Sequence, residues 1–237
     1  MNASERFWQI DLWRGITVVL MVFFNWSFTL FFLDVYKLNF GDFYWRVFPQ
    51  FIGGSFIFLA GLSIVLSSQR LKLIIYKKYF FRGSKIFLLG IGITIVTWLF
   101  SPSNTIVFGI LHLIGISIVL SPLFLKIKGK LFIAALFLIL GFYFQSIFVN
   151  SSYLFPIGLV NPGFTTLDYW PFVPWFGIFL VGMYFGDIFI KIKNPGSSDN
   201  KLAGLFCILG RNSLKVYLVH QPMLLAILII FGAKVFI

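Results

Sequence analysis

The chain has 237 residues, of which 59% are hydrophobic, 21% aromatic and only 11% charged. Soluble domains carry about 45–50% apolar and about 25% charged residues, so this chain has too few polar side chains to cover a water-facing surface. The composition excludes a soluble globular protein and predicts an all-α integral membrane protein. The net charge of +12 comes from short segments between apolar runs, which favours membrane topology over a nucleic-acid partner. The single cysteine, Cys207, excludes an internal disulfide and a multi-cysteine metal site.

Length and hydropathy together predict one bundle of transmembrane helices over residues 1–237. A spanning helix needs about 20 apolar residues, so the chain has room for several spans and no soluble domain. Windows of about 19 residues predict about seven spans. They are Leu12–Leu33, Pro49–Ser68, Lys85–Phe100, Asn104–Leu125, Leu131–Val149, Pro171–Ile190 and Ser213–Val235.

The basic residues predict how this bundle is oriented. If the spans alternate in direction, 16 of the 19 lysines and arginines fall on one side. Cytoplasmic segments carry the excess of Lys and Arg. The pattern therefore predicts a cytoplasmic N-terminus and an external C-terminus, with only Lys37, Arg46 and Lys234 on the external side.

The first predicted helix carries polar groups at both ends. Asp11 and Arg14 are three residues apart on one helical face and are expected to pair near the cytoplasmic entry, although Arg14 could also face a phosphate. Asn25 lies in the external half. Its amide could orient a substrate or polarise a carbonyl, but asparagine also commonly forms hydrogen bonds between membrane helices. Both roles remain open.

A group of basic residues is predicted at the cytoplasmic mouth. Such residues are usually explained by topology and by anionic lipids, and they would serve equally to hold a polyphosphate. Gly210-Arg211-Asn212-Ser213 opens the last span with an N-cap residue and a helix N-terminus, a geometry that attracts phosphate. The candidate phosphate ligands are Arg14, Lys78, Arg82 and Arg211.

The chain has two histidines, and both are predicted to lie within spans. Ionisable groups at membrane depth are functional candidates. His112 is expected eight residues into the fourth span, about 12 Å from its external end at 1.5 Å per residue. It is a candidate general base, with a hydrogen bond between helices as the alternative. His220 precedes Pro222, where a kink is expected; His220 could satisfy freed backbone groups or line a cavity.

The external segment Asn150–Trp170 has no lysine or arginine and ends in Asp168-Tyr169-Trp170. Tyrosine and tryptophan at this depth most often form an interfacial belt. The more specific alternative is that these aromatic rings form a binding surface for a sugar ring.

Four stretches together resemble one family. Arg6–Gly15 resembles its opening pattern, with an acidic residue three positions before Arg-Gly. Phe108–Gly115 resembles its Phe-Gly-Ile-Leu-His-Leu-Ile-Gly signature, Asp168–Gly177 its Asp-Tyr-x-Pro-x-x-Pro-Trp-Phe-Gly element, and Gly210–Pro222 its closing segment with His-Gln-Pro. By their order and spacing, the chain resembles the small prokaryotic members of the heparan-α-glucosaminide N-acetyltransferase catalytic-domain family.

The resemblance implies a transmembrane acyltransferase in the plasma membrane of a prokaryote. Acetyl-CoA would enter from the cytoplasm without a metal, and the acetyl group would pass to an amine or hydroxyl of an external sugar or glycan. A homo-oligomer is compatible with this interpretation. The implied roles are catalysis for His112 and Asn25, acetyl-CoA binding for Arg14, Lys78, Arg82, Arg211 and His220, and acceptor binding for Asp168, Tyr169 and Trp170.

The chain departs from the family pattern at two positions. Asn25 stands where prokaryotic members usually carry histidine, and Thr29 stands where they often carry aspartate. These departures make a catalytically inactive family member one alternative. A small-molecule transporter or channel is the other, because the same polar residues could line a cavity and Pro222 is expected to kink the last span. A retinal protein is disfavoured, because Lys215 and Lys234 lie at the ends of the last span rather than in its middle.

Overall fold

The computed structural model describes residues 7–32, 41–69, 75–151, 153–191 and 200–231. Within these ranges the regular structure consists of α-helices and short 3₁₀ turns, which confirms the all-α prediction. The helices are α1 (Trp8–Phe32), α2 (Gly41–Ser68), α3 (Ile75–Phe100), α4 (Ile110–Phe124), α5 (Lys130–Phe144), α6 (Phe172–Phe189), α7 (Lys201–Arg211) and α8 (Ser213–Ile230). The 3₁₀ turns are Pro102–Asn104 and Phe155–Ile157.

Five helices in the described part of the chain are long and apolar enough to cross a membrane: α1, α2, α3, α6 and α8. The protein is therefore a multi-pass membrane protein. Helices α4 and α5 lie within predicted spans but have 15 residues each. At 1.5 Å per residue they are about 22 Å long, less than the roughly 30 Å hydrocarbon core. The count of seven spans and the orientation of the termini stay predictions.

Several predicted span boundaries differ from the helices. Helix α3 begins at Ile75 rather than Lys85, because a hydropathy window rejects Lys77, Lys78 and Arg82 although a helix can carry exposed cations at its end. Helix α2 begins at Gly41 and runs through Pro49. Helix α4 begins at Ile110, six residues after the predicted start. The predicted ends Leu33 and Val235 lie outside the described residues.

Helix α7 was not predicted as an element. It has 11 residues, too few for a span, and cationic residues at both of its ends, so a hydropathy window passes over it. Its start is fixed by Asn200, whose side-chain oxygen accepts the backbone N–H of Leu202 at 2.9 Å. This is the usual N-cap arrangement.

The chain divides into two compact units, Met1–Phe56 with Lys193–Ile237, and Ile57–Ile192; the prediction of a single domain stays a prediction. In the first unit, α1 packs against α7 at backbone distance. A Cβ atom on Gly15 would collide with the carbonyl of Phe206, and one on Gly210 would collide with the carbonyl of Asp11. Cys207 lies in the same contact and is 5% exposed.

The second unit is built on the helix pairs α3–α4 and α5–α6. Gly115 of α4 lies against the backbone of Phe87 on α3, and Gly177 of α6 lies against the carbonyl of Ala134 on α5. Small residues allow membrane helices to approach closely, and the gain is in dispersion contacts. The core of this unit contains Leu59, Leu62, Tyr79, Leu113, Phe176 and Phe179.

The outer faces of several helices are apolar and exposed. On α3, Leu88 is 63% and Trp98 59% exposed, and on α5 Phe132 is 78% exposed. A soluble protein rarely exposes so many large apolar side chains together. These faces are suited to lipid.

The α1–α7 contact gives a stability prediction with a control on the same helix. Gly210→Ala is expected to lower the free energy of unfolding by about 1–3 kcal/mol or more, because overpacking forces two backbones apart. Gly204→Ala is expected to be neutral or stabilising by up to about 1 kcal/mol, because a Cβ atom there meets nothing within 4 Å and alanine favours helix. Thermal unfolding in detergent tests both. Equal melting temperatures for the two variants would contradict the prediction.

Candidate active site

Two predicted phosphate ligands in the first unit converge on one carboxylate. Arg14 Nη1 lies 3.4 Å from Asp11 Oδ1, and Arg211 Nε lies 3.0 Å from Asp11 Oδ2. The Asp11–Arg14 pairing expected from the sequence is therefore present. The Asp11 side chain is 11% exposed, whereas that of Arg211 is 40% exposed. The cluster carries one net positive charge, and part of Arg211 remains accessible.

The junction between α7 and α8 differs from its predicted form. Asn212 was expected to cap α8, but its Nδ2 donates to the carbonyl of Ile208 at 3.0 Å and so closes the end of α7. No side chain caps the first turn of α8. Backbone N–H groups at an uncapped helix N-terminus favour anions, and Arg211 directly precedes this turn.

Asn25 and the residues after it lie beside the His-Gln-Pro segment of α8. Trp26 Nε1 donates to the carbonyl of His220 at 3.3 Å, and Thr29 Oγ1 donates to Gln221 Oε1 at 3.2 Å. Asn25 Nδ2 donates to the carbonyl of Met21 on its own helix at 3.0 Å. The structure thus brings together two stretches that the sequence analysis singled out separately.

His220 is held in one tautomer by its own helix. Its Nδ1 lies 2.7 Å from the carbonyl oxygen of Tyr217 and 3.2 Å from that of Val216. Carbonyl oxygens only accept hydrogen bonds, so the ring proton is on Nδ1 and the lone pair is on Nε2. The residue is 5% exposed, and Nε2 is buried without a hydrogen-bond partner.

In the second unit, His112 lies in the first turn of α4, as the third helical residue, rather than eight residues into a span. Its Nδ1 accepts the backbone N–H of Gly109 at 3.2 Å. Its Nε2 lies 3.5 Å from Thr94 Oγ1, which donates its own proton to the carbonyl of Ile106 at 2.6 Å. Both ring nitrogens of His112 therefore have partners, with the proton on Nε2.

The ring of His112 fits because of its neighbours. It stacks on Phe108 and meets the edge of Phe87, with ring centroids 5.6 Å and 5.2 Å away. A Cβ atom on Gly90 would lie 3.0 Å from the imidazole. Thr94 and Gly90 were missed by the sequence reading, because only the packing of α3 on α4 reveals their role.

Asp168 caps the start of α4. Its Oδ2 accepts the backbone N–H of Ile110 at 3.1 Å, and its Oδ1 accepts Trp170 Nε1. Gly109, which precedes the helix, has no side chain for this purpose, so the cap comes from a residue far along the chain. Burial raises the pKa of the Asp168 carboxyl to about 6, and its two hydrogen bonds oppose this shift.

Tyr169 and Trp170 are also engaged with their surroundings. The Tyr169 hydroxyl donates to the carbonyl of Phe155 at 2.6 Å, and burial raises its pKa to about 12. The backbone N–H of Trp170 donates to the carbonyl of Phe108 at 3.0 Å, and its residue is 8% exposed. The predicted acceptor residues thus join the segment before α6 to the start of α4.

Lys78 and Arg82 lie four residues apart near the start of α3, and both are exposed. Residues at this spacing share a helix face. Tyr79, between them in sequence, is fully buried against α2, where its hydroxyl donates to the carbonyl of Ile64 at 3.0 Å. This anchors the cationic end of the helix and leaves its two charges accessible to an anion. Within the described ranges, no three His, Cys, Asp or Glu residues form a group that could hold a metal.

The comparison with protein families identifies the chain. The family model described as heparan-alpha-glucosaminide N-acetyltransferase, catalytic, matches residues 6–222. The chain belongs to this family. The resemblance seen in the motifs is confirmed, and at family level the protein is a transmembrane acetyltransferase. The comparisons with curated proteins and with solved structures gave no match.

Asp168 gives this acetyltransferase a pH-dependent stability. Its folded pKa of about 6 lies above the ordinary 3.8, so between these values the folded chain holds a proton that the unfolded chain has lost. The contribution of Asp168 to stability is therefore present below about pH 4 and is lost as the pH rises to about 6. The loss is up to about 3 kcal/mol, since one pKa unit corresponds to about 1.4 kcal/mol.

Asp168→Asn cannot ionise and is expected to remove this dependence. Melting temperatures of both proteins from pH 4 to pH 7 test it, because other titrating groups cancel in the difference. The wild type should lose stability relative to the variant as the pH rises. Parallel profiles would contradict the assignment.

Proposed function

We propose that the protein transfers an acetyl group from cytoplasmic acetyl-CoA to an amine or hydroxyl, of a sugar or glycan, on the external side of the membrane. The observation that carries this proposal is the family match over residues 6–222, which includes every candidate site residue. The acetyl-CoA donor is the one that this family uses in general, and the acceptor class follows from the glucosaminide named in the family's title activity.

The proposed sidedness rests on charge. With seven spans in a single domain, the N-terminus is cytoplasmic, the C-terminus external, and 16 of the 19 basic residues face the cytoplasm. A prokaryotic plasma membrane accommodates this arrangement. Several of the counted residues lie outside the described part of the chain: Arg6, Lys37, Arg70, Lys72, Lys193 and Lys234.

The proposed ligands of the CoA phosphates are the four basic residues predicted from the sequence. In the first unit these are Arg14 and Arg211, and the uncapped first turn of α8 adds N–H donors next to Arg211. In the second unit they are Lys78 and Arg82, which are exposed on one face of α3. The partial accessibility of Arg211 beside Asp11 supports its assignment.

Asn25 is the proposed residue that orients the acceptor or stabilises the developing oxyanion. One Nδ2 hydrogen is used by the carbonyl of Met21. The amide nitrogen carries a second hydrogen, which remains available for a negatively charged oxygen in the transition state. Asp168, Tyr169 and Trp170 stay the predicted acceptor-binding residues, and His220 the predicted donor-binding histidine.

His112 as general base also stays a prediction. Its geometry favours a structural role, because the Nδ1 lone pair accepts the N–H of Gly109. To take a proton from an acceptor, the imidazole would first have to break that bond.

Binding of acetyl-CoA to the purified protein in lipid nanodiscs tests the donor assignment. Lys78→Glu and Arg82→Glu are each expected to weaken binding about tenfold, equivalent to about 1.4 kcal/mol. Arg211→Gln, which avoids a second carboxylate beside Asp11, is expected to weaken it by a similar factor. Arg46→Glu is the matched control, since it reverses an exposed helical charge on the predicted external side and should leave the affinity unchanged.

Two outcomes of this binding experiment would count against the proposal. Absence of saturable binding by folded wild-type protein would remove the acetyltransferase assignment and favour solute transport. A loss caused equally by Arg46→Glu would show a general charge effect rather than a phosphate site.

Asn25→Ala tests the catalytic assignment. Loss of an oxyanion donor typically costs about 100-fold or more in kcat, so kcat for acetyl transfer to glucosamine should fall by about that factor while the Kd of acetyl-CoA is unchanged. Ser27→Ala is the control on the same helix, because the Ser27 hydroxyl only donates to the carbonyl of Phe23. Equal rates for the two variants would contradict the role of Asn25.

A further inference from the structure

The two histidines of the chain have opposite tautomers. His112 carries its proton on Nε2 and uses its Nδ1 lone pair for the N–H of Gly109. His220 carries its proton on Nδ1, which faces the carbonyl of Tyr217, and its Nε2 lone pair has no partner. Only His220 therefore has a ring nitrogen that is free to accept a proton.

The unpartnered lone pair of His220 Nε2 lowers the stability of the folded protein, because it is buried. His220 is 5% exposed, and a buried acceptor without a donor costs about 1–3 kcal/mol. Two polar donors near this turn of α8 have other acceptors: Trp26 Nε1 donates to the main-chain carbonyl of His220, and Thr29 Oγ1 donates to Gln221 Oε1. A buried acceptor kept in this form in a native structure calls for a physical reason.

The position of the lone pair supplies that reason. Nε2 is the ring nitrogen farther from the backbone, and the Nδ1 hydrogen bonds fix the ring against its own helix. The hydrogen bonds of Trp26 and Thr29 join this turn of α8 to the turn of α1 that begins at Asn25. Within the first unit, a neutral imidazole base is thus held next to the segment that carries the proposed oxyanion donor.

We infer that His220 Nε2 is the proton acceptor in acetyl transfer. This inference rests on the proposed function and adds a catalytic role to the donor-binding role predicted for His220. The acceptor nitrogen or oxygen attacks the thioester carbonyl carbon, the new C–N or C–O bond forms, and the C–S bond breaks to release the CoA thiolate. Nε2 takes the proton that the attacking atom loses and then returns it to the thiolate, which leaves as CoA.

Matched asparagine substitutions separate the two histidines. His220→Asn places an amide nitrogen where Nδ1 was, so the bond to Tyr217 can be kept while the Nε2 base is lost. His112→Asn places a carbonyl oxygen where its Nδ1 was, so the bond from Gly109 can be kept. The readouts are CoA release from acetyl-CoA with glucosamine as acceptor, and the Kd of acetyl-CoA.

His220→Asn is expected to lower kcat at least about 100-fold, the usual size of a general-base effect, and to weaken acetyl-CoA binding by a much smaller factor. Ser27→Ala, whose lost hydroxyl donates to the carbonyl of Phe23 on its own helix, is the activity control and is expected to keep kcat within about threefold of wild type. A His220→Asn variant with near wild-type kcat would overturn the inference, as would a loss of activity confined to His112→Asn.

Nuclear magnetic resonance of the histidine rings gives a second readout that needs no turnover. With histidine labelled and a purification tag free of histidine, the protein has two ring signals, which His112→Asn assigns. We expect His220 to show the Nδ1–H tautomer and to shift when acetyl-CoA is added. A His220 signal in the Nε2–H tautomer, or one that acetyl-CoA leaves unmoved, would overturn the inference.

The two proposals can fail separately. Saturable binding of acetyl-CoA together with an unmoved His220 signal would leave the acetyltransferase assignment standing and remove the role of His220. Absence of acetyl-CoA binding would remove both. If glucosamine is not acetylated by wild type, the ring signals decide the question.

Discussion

Backbone-to-backbone packing at glycines is the constraint on which both units depend. Membrane helices gain little from burying apolar surface, since lipid is equally apolar, and they are held by dispersion contacts and interhelical hydrogen bonds. Gly210 against the carbonyl of Asp11 does more than bring α1 and α7 together. It sets Arg211 beside the Asp11 carboxylate at 3.0 Å and thereby fixes where a cation and the first turn of α8 lie. The polar chemistry at this end of the unit follows from a contact that involves no side chain.

Buried polar side chains fall into two kinds in this protein. In one kind, the side chain makes structural hydrogen bonds: Asp168 accepts the first N–H of α4, and His112 accepts the N–H of Gly109 in the turn beside it. The other kind has a hydrogen-bonding atom without a partner, as His220 does at Nε2. Residue type alone does not distinguish them, since both histidines are buried. The hydrogen-bond partner of each ring nitrogen does.

The sequence predicted the helical membrane class and the family, because hydropathy and motif order depend only on the order of residues along the chain. Boundaries were less accurate where charge and helix coexist, as at the start of α3, and where a 3₁₀ turn precedes the helix, as before His112. The pairing of Asp11 with Arg14 was predictable at three residues' separation. The arrival of Arg211 at the same carboxylate, 200 residues away, and the capping of α4 by Asp168 depend on packing that no local pattern encodes.

Cys207 makes the chain convenient for chemical labelling. The residue is 5% exposed, its Sγ lies 3.4 Å from the carbonyl oxygen of Trp8, and burial raises the pKa of the thiol. A buried thiol that stays protonated reacts slowly with maleimides and other thiol reagents, and the chain has no second cysteine. The wild-type protein should therefore react only slowly with thiol reagents, and no cysteine needs to be removed before labelling. Cysteines introduced one at a time would report, through membrane-impermeant reagents, which side of the bilayer each connecting segment faces.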